Sequence, residues 1–436
     1  MSNILVDFNT KVGKIKPMHA VNNVQTVPFC HGDIDYLANA HVPYSRLHDT
    51  GGCFGGAHYV DIGNIFPNFD ADENDPLSYD FAFTDVLLQN MLKSGIKPFY
   101  RLGATIENRH KIKAYNIFPP KDPEKWARIC EHIILHYNEG WADGFRMDIE
   151  YWEIWNEPDN QPEIEENPCW KGTKEQFFEL YRIASKHLKS RFPHLKIGGY
   201  ASCGFYALTN SFIKAANSSP RKEYFLEFFE DFLKYAQENE CVLDFFSWHS
   251  YASLDANVIY ARHARERLDA FGFDRTEVFL NEWNPGNHNR ALTRDAADIL
   301  AMMIAMHSTP TDMLMYYDAY VHSSYCGIFD PVGHGVFKAY YAFLVFGKMY
   351  VMGEKCQSHS DENGVYVIAA RGDEKKAFAI VNDSEEEKSV TLSVIGADLP
   401  SGKVMATDDA HEFDEILPLD NALVLPPFSI RYVEFD

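Results

Sequence analysis

YWEIWNEPDN, residues Tyr151 to Asn160, holds a strand and its abrupt end. Aromatic and β-branched residues suit a pleated, buried strand, and Tyr-Trp-Glu-Ile-Trp has that composition. Pro158 has no N–H with which to continue a ladder, so the strand stops at Asn156-Glu157-Pro158-Asp159. A second stretch, VFLNEWNP from Val278 to Pro285, repeats the design. There an apolar strand delivers Asn281, Glu282, Trp283 and Asn284, and a proline again closes it.

Working outward, short apolar strands alternate with helices along most of the chain. Strands are expected at Ile4–Phe8, Lys14–Val21, Val42–Leu47, Ile96–Leu102, Leu195–Tyr200, Asp244–His249 and Met313–Tyr317. Between them, apolar residues recur at helical spacing over Asp33–Ala40, Thr84–Ser94, Thr173–Ser190, Tyr224–Gln237, Asp255–Phe271, Arg294–His307 and Val336–Gly347. Another helix opens with Asp122 as N-cap and Pro123 at its first position. Strands of about six residues alternating with helices indicate parallel β/α construction. Closed on itself, such a chain is an α/β fold of the (β/α)8 TIM-barrel type, expected over residues 12–347, with its chemistry at the carboxyl ends of the strands. Arg46, His48, Glu157, His249, Tyr251 and Glu282 all fall at such ends. An open doubly wound sheet is the alternative, but no G-x-G-x-x-G or phosphate loop follows the first strand.

After Lys348 the texture changes to short runs that alternate apolar and polar, such as GVYVIAA, KAFAIV, SVTLSVI and IRYVEF, separated by turn clusters. A small C-terminal antiparallel β-sandwich is expected over residues 348–436, with the N-terminal strand in residues 1–11 a candidate to complete it.

The 436 residues carry a formal net charge of −23, which argues against nucleic acid or an anionic membrane as partner. The amino terminus places Asp7 and Lys11 where a secretory signal needs an unbroken apolar run, and no later stretch has the length of a spanning helix. The 8 cysteines are scattered, without C-x-x-C or metal-ligand spacing, as in reduced thiols of a cytoplasmic protein. A homo-oligomer is compatible with this composition.

Two glutamates, each at a strand end and each flanked by Asn and Trp, are what glycosidic-bond hydrolysis requires. One carboxyl group protonates the leaving oxygen and the other attacks the anomeric carbon or activates water. For retention the pair sits about 5–5.5 Å apart, against about 6.5–9.5 Å for inversion. Their surroundings must differ, with donors such as Arg46 and the Tyr251 hydroxyl keeping one of them ionised.

Taken together, WEIWNEPDN and FLNEWNP resemble the acid/base and nucleophile signatures of clan A glycoside hydrolases, specifically the family 39 β-xylosidase and α-L-iduronidase group. YSRLHD, IKPFYRLG, FFSWHSYA and GIFDPVGHGVFKAYYAFLVFG agree with that family in order. The resemblance implies a (β/α)8 barrel with a β-sandwich, retaining hydrolysis of a short oligosaccharide or glycoside, and no cofactor. It implies Glu157 as acid/base and Glu282 as nucleophile. Asn156 would bind the sugar 2-hydroxyl, Tyr251 would hydrogen-bond the nucleophile, and Arg46, His48 and His249 would line the sugar pocket. Trp283 is the candidate stacking platform among the motif tryptophans, whereas Trp152 faces the core. Asn281 stands where many members have Thr, and YYDAYVHSSYC replaces the Phe-Glu-Glu pattern that β-xylosidases carry near the last strand. Both departures touch sugar specificity rather than mechanism.

Other readings stay open at this point. β-Xylosidase-like exo-action competes with β-galactosidase, β-glucosidase and arabinosidase specificities, and with a non-catalytic carbohydrate-binding barrel. His48 and His249 with Asp49 or His288 form a conceivable metal set, but no H-E-x-x-H or close ligand pair supports it, and no metal is expected. The glycine-rich loop Gly51–Gly56 reads as a rim of the cleft.

Overall fold

The computed structural model describes residues 2–24, 33–48, 59–105, 117–209, 211, 219–321, 323–333 and 335–436. In chain order the elements begin with β1 (Ser2–Lys14), β2 (Ala20–Asn22), α1 (Asp33–Asn39), β3 (Tyr44–Leu47), α2 (Ile62–Ile65), α3 (Ala82–Lys93) and β4 (Lys97–Leu102). They continue with α4 (Pro123–Ile134), β5 (Tyr151–Ile154), α5 (Lys174–Arg191), β6 (Lys196–Ser202), α6 (Ser219–Glu238), β7 (Phe245–Ser250), α7 (Leu254–Ala270) and β8 (Glu277–Trp283). Then come α8 (Thr293–His307), β9 (Met313–Tyr316), the short pair β10 (Phe329–Asp330) and β11 (Gly335–Val336), and α9 (Ala339–Met352). Strands β2 to β9 close a parallel barrel in chain order. The chain also divides into two compact units, Val21–Cys30 with Tyr44–Trp283, and Met1–Ala20 with His31–Pro43 and Asn284–Asp436.

Within the first of these units the helix starts follow local chemistry. The Asp122 side chain accepts from Lys125 N at 2.9 Å ahead of Pro123, satisfying a helix N–H that has no intrahelical partner. Thr173 and Gln176 form a reciprocal capping box at the start of α5. Inside the barrel, side chains stack in layers because successive residues of a strand face opposite sides. Phe99, Tyr151, Phe245 and Phe279 form an aromatic floor, with the Phe245 and Phe279 centroids 5.2 Å apart and Phe99 and Tyr151 5.5 Å apart. Two residues further along β5, β7 and β8 the inward positions are Glu153, Ser247 and Asn281, joined by Arg46 from β3. The carboxyl ends of the strands lie one layer higher.

Two expectations shift in the second unit. The stretch Lys14–Val21 is not one strand: β1 ends at Lys14 and only Ala20–Asn22 joins the barrel, with Pro17, which cannot donate to a ladder, in between. The closing helix begins at Ala339 rather than Val336, because Gly335 and Val336 pair with Asp330 and Phe329. It also runs past Gly347, whose missing Cβ makes room for the carbonyl of Ala40. The helix ends instead at Gly353, in a positive-φ conformation that glycine tolerates.

The C-terminal strands are β12 (Glu354–Ser360), β13 (Val365–Arg371), β14 (Lys376–Asn382), β15 (Lys388–Ile395), β16 (Lys403–Thr407), β17 (Glu412–Ile416), β18 (Ala422–Leu425) and β19 (Ser429–Phe435). With β1 they make one nine-stranded sheet in the order β17-β16-β19-β14-β13-β12-β1-β15-β18. Residues from strands near both edges, including Val404 and Leu425, share a core with Ile4, Val6, Phe8, Phe378 and Leu392, so the sheet curls over its own apolar face. It is not wholly antiparallel: β1 pairs antiparallel with β12 but parallel with β15. β1 and β15 are far apart in the chain, so no hairpin connection imposes antiparallel order on them.

Candidate active site

Glu157 is aimed by backbone that leaves strand geometry at Ile154. Trp155 (φ 74°) and Glu157 (φ 47°) are both left-handed, a conformation that costs an L-residue about 1–2 kcal/mol. The turn is held by hydrogen bonds from Trp155 N to Leu102 O at 2.7 Å and from Glu157 N to Ala201 O at 3.0 Å. Glu282 arrives differently. It lies within β8, which continues through Asn281 to Trp283 rather than stopping before them. The pairing of β8 with β7 skips Asn281: Leu280 lies opposite Trp248, and Glu282 opposite His249. Such a bulge re-aims side chains, and here Asn281 and Glu282, though consecutive, both reach the barrel interior.

The two glutamates meet at His249. Its Nδ1 lies 2.7 Å from Glu157 Oε1 and 3.5 Å from Glu282 Oε2. One oxygen of each carboxylate and a ring nitrogen of His249 all lie within 4.8 Å of one another. The Tyr251 hydroxyl donates to Glu282 Oε1 at 2.6 Å, and Arg46 Nη1 approaches Glu282 Oε2 at 3.5 Å. Asn160 Nδ2 donates to Glu157 Oε2 at 2.7 Å. The Glu157 and Glu282 side chains keep 16% and 9% of their surface exposed, so both can be reached from solvent.

Beneath them Arg46 is fully buried and divided among several partners. Its Nε donates to Glu153 Oε2 at 2.7 Å, Nη2 to Asn156 Oδ1 at 2.6 Å and Nη1 to Asn22 Oδ1 at 3.3 Å. Glu153, equally buried, accepts at Oε1 from Ser247 Oγ and Asn281 Nδ2, each at 2.6 Å. Asn281, the departure from the usual threonine, therefore anchors a carboxylate.

Burial and charge act against each other on all three central groups. Burial alone would strip the proton from His249, but Glu282 and Glu157 on either side hold its pKa above the ordinary histidine value. Burial pushes Glu157 upward as well. The hydrogen bond and charge of His249, the Asn160 amide and the charge of Arg221 reverse that, leaving Glu157 below the usual carboxylate range. At Glu282 burial prevails over His249 and Arg46, and the Glu157 charge adds to it, so its carboxyl is raised.

Of the residues expected at the site, Arg46, Asn156, Glu157, His249, Tyr251 and Glu282 converge. His48 is buried at the end of β3, where its carbonyl accepts from Arg101 Nη2 at 3.1 Å. Trp283 is fully buried, as are Trp152, Trp155 and Trp248. Asp49 and Gly51–Gly56 lie outside the described residues. Among the described residues one His/Cys/Asp/Glu group has ligand atoms close enough to share an ion, Glu157 with His249 and Glu282; His288 does not belong to it. Glu153, Asn22, Ser247 and Asn160 are the site residues that the motifs did not single out. The sign of Glu153 was its parity: a carboxylate two residues from Tyr151 on an apolar strand faces the same interior.

Residues 57–345, more than half of the chain, match the family described as glycosyl hydrolases family 39. The chain belongs to that family. It is 28% identical over 202 residues to a β-xylosidase of Geobacillus stearothermophilus, a match covering 44% of this chain and 34% of that protein. The match thus spans about a third of that relative's length. Two solved structures share the fold over nearly the whole chain. A glucosidase from Croceicoccus marinus superposes with a TM-score of 0.75 at 21% identity, covering 100% of this chain and 98% of that one. A family 39 β-xylosidase from Caulobacter crescentus gives 0.66 at 15% identity, covering 99% of each. Among the described residues no helix is long and apolar enough to cross a membrane.

Proposed function

We propose that the chain is a retaining exo-glycoside hydrolase, with Glu282 as nucleophile and Glu157 as acid/base, acting on short β-xylosides. The observation that carries this reading is the closeness of Glu157 and Glu282, with oxygens within 4.8 Å of each other around His249. This closeness supports the short spacing of a retaining pair over the wider one an inverting pair needs for its water. The attack is assigned to Glu282 because its stretch FLNEWNP resembles the nucleophile signature of the family, and the Tyr251 hydroxyl donates to its carboxylate. Proton donation falls to Glu157, which stands on the loop after β5.

In the free site Glu282 is the harder of the two to ionise, whereas the double displacement begins with Glu282 ionised and Glu157 protonated. The Nδ1–H of His249, 2.7 Å from Glu157, can give that carboxylate its proton, after which the freed Nδ1 can take the proton of Glu282, 3.5 Å away. Positive charge developing at the anomeric carbon favours the anion at Glu282 and drives the exchange. The bond to the leaving oxygen then breaks as Glu157 donates its proton, and a glycosyl ester forms on Glu282. Water, deprotonated by Glu157, releases the sugar with its configuration retained.

The β-xyloside preference is supported by the β-xylosidases among the relatives and solved structures. A β-glucoside preference is the second reading, favoured by the full-length likeness to a structure described as a glucosidase. A panel of aryl glycosides separates them. Highest kcat/KM on the xyloside supports the first reading and on the glucoside the second. Binding without turnover of any sugar would overturn the enzymatic proposal.

A further inference from the structure

We infer that Glu153 is a positioning residue that sets the reactivity of Glu282 through Arg46. This rests on the proposed role of Glu282 as nucleophile and adds a third carboxylate to the machinery. Arg46 and Glu153 are both without solvent exposure. A buried guanidinium with no counter-charge is expensive, and a buried carboxylate equally so. Their contact at 2.7 Å answers both needs, and it does more than neutralise. Nε goes to Glu153, which turns the other two nitrogens toward Asn156 (2.6 Å) and Glu282 (3.5 Å). The same side chain therefore orients the residue expected at the sugar 2-hydroxyl and the carboxylate expected at the anomeric carbon.

The charge of Glu153 also limits how strongly Arg46 pulls on Glu282. Nη1 is shared between Asn22 Oδ1 at 3.3 Å and Glu282 Oε2 at 3.5 Å, so Arg46 supports the Glu282 anion without pairing with it fully. A nucleophile clamped by an undivided guanidinium would be ionised at lower pH but less basic, and slower to attack. The other groups facing Glu282 are His249 from β7, Tyr251 just beyond β7 and Glu157 beyond β5. Ser247 and Asn281 hold Glu153 in place. Asn281 leaves its own Oδ1 without a partner, so that amide can turn over to receive an N–H.

That freedom makes Glu153→Gln informative. The glutamine oxygen can take Arg46 Nε while its amide donates to Ser247 Oγ and a turned Asn281, so shape is kept and charge is removed. The acidic limb of the kcat/KM profile should move to lower pH by about one unit, with the plateau falling about tenfold or more. Glu153→Asp, which keeps the charge at greater reach, should give a smaller shift in the same direction. It serves as the test by itself if the glutamine variant does not fold. A loss of activity or stability with the acidic limb unmoved in the folded variants would overturn the inference and leave Glu153 a packing residue. Labelling of the wild-type enzyme by a 2-deoxy-2-fluoro glycoside, mapped by mass spectrometry, separates this from failure of the underlying reading. A label on Glu282 with no pH shift in the variants refutes only the role of Glu153. A label on another residue refutes the nucleophile on which that role depends.

Discussion

Nδ1 of His249 lies 2.7 Å from Oε1 of Glu157, and this contact controls when Glu157 can hold a proton. Without the imidazole, only the Asn160 amide and the charge of Arg221 still oppose burial at Glu157, and its carboxyl rises. The basic limb of kcat/KM, which reports loss of the acid's proton, should therefore move to higher pH in His249→Ala. The plateau should fall about tenfold or more, because the proton path between the glutamates is gone. The pH profile of the purified variant checks both effects.

Glu157→Ala should discriminate between substrates. Glycosides with poor leaving groups need protonation and should lose about 10²–10⁴-fold in kcat/KM. Aryl glycosides with strongly acidic phenols should lose little in the bond-breaking step. Equal losses on both would remove Glu157 from the acid role.

Tyr251→Phe deletes the 2.6 Å donor to Glu282 Oε1 and leaves the ring. The Glu282 anion loses support, so the acidic limb should move upward, opposite to the shift expected for Glu153→Gln. A fall of about 10²–10³-fold in kcat is expected for a lost donor to a reacting carboxylate. Steady-state kinetics at several pH values measure the sign of the shift.

A stability effect is expected away from the site. Asp383, just after β14, is partly buried and pushed up to about 8, first by desolvation and then by the neighbouring Asp298 of α8, against the pull of Arg294. Arg294 Nε lies 3.7 Å from Asp298 Oδ2, and Asn289 Nδ2 donates to the same oxygen at 3.0 Å. The folded state keeps a proton on Asp383 that the unfolded chain releases near pH 3.8. Between those values the folded state binds more protons, so this contribution is full below the lower value and falls as pH rises toward about 8. Asp383→Asn should match wild type in Tm near pH 4 and exceed it near pH 9, as thermal melts at the two pH values would show.

The barrel was legible because its signals are local. Strand composition, the Asp122 cap and the prolines after both glutamates each act within a few residues. The pair Glu157 and Glu282 stood out because similar neighbours surround each. The bulge that turns both Asn281 and Glu282 inward is a property of strand register, and β8 alone does not encode its pairing with β7. The role of Glu153 is non-local for a related reason. A lone carboxylate on an apolar strand gains meaning only when Arg46, Ser247 and Asn281 arrive from other strands. The place of β1 in the middle of the curled sheet is also long-range, since its partners β12 and β15 lie hundreds of residues away.

The central claim is that Glu157 and Glu282 act on one sugar ring as the closely spaced pair of a retaining enzyme. Proton NMR of the first-formed product during turnover of an aryl β-glycoside tests it most directly. Appearance of the β-anomer ahead of mutarotation is the predicted result. Initial release of the α-anomer would show inversion and contradict the mechanism drawn from this geometry.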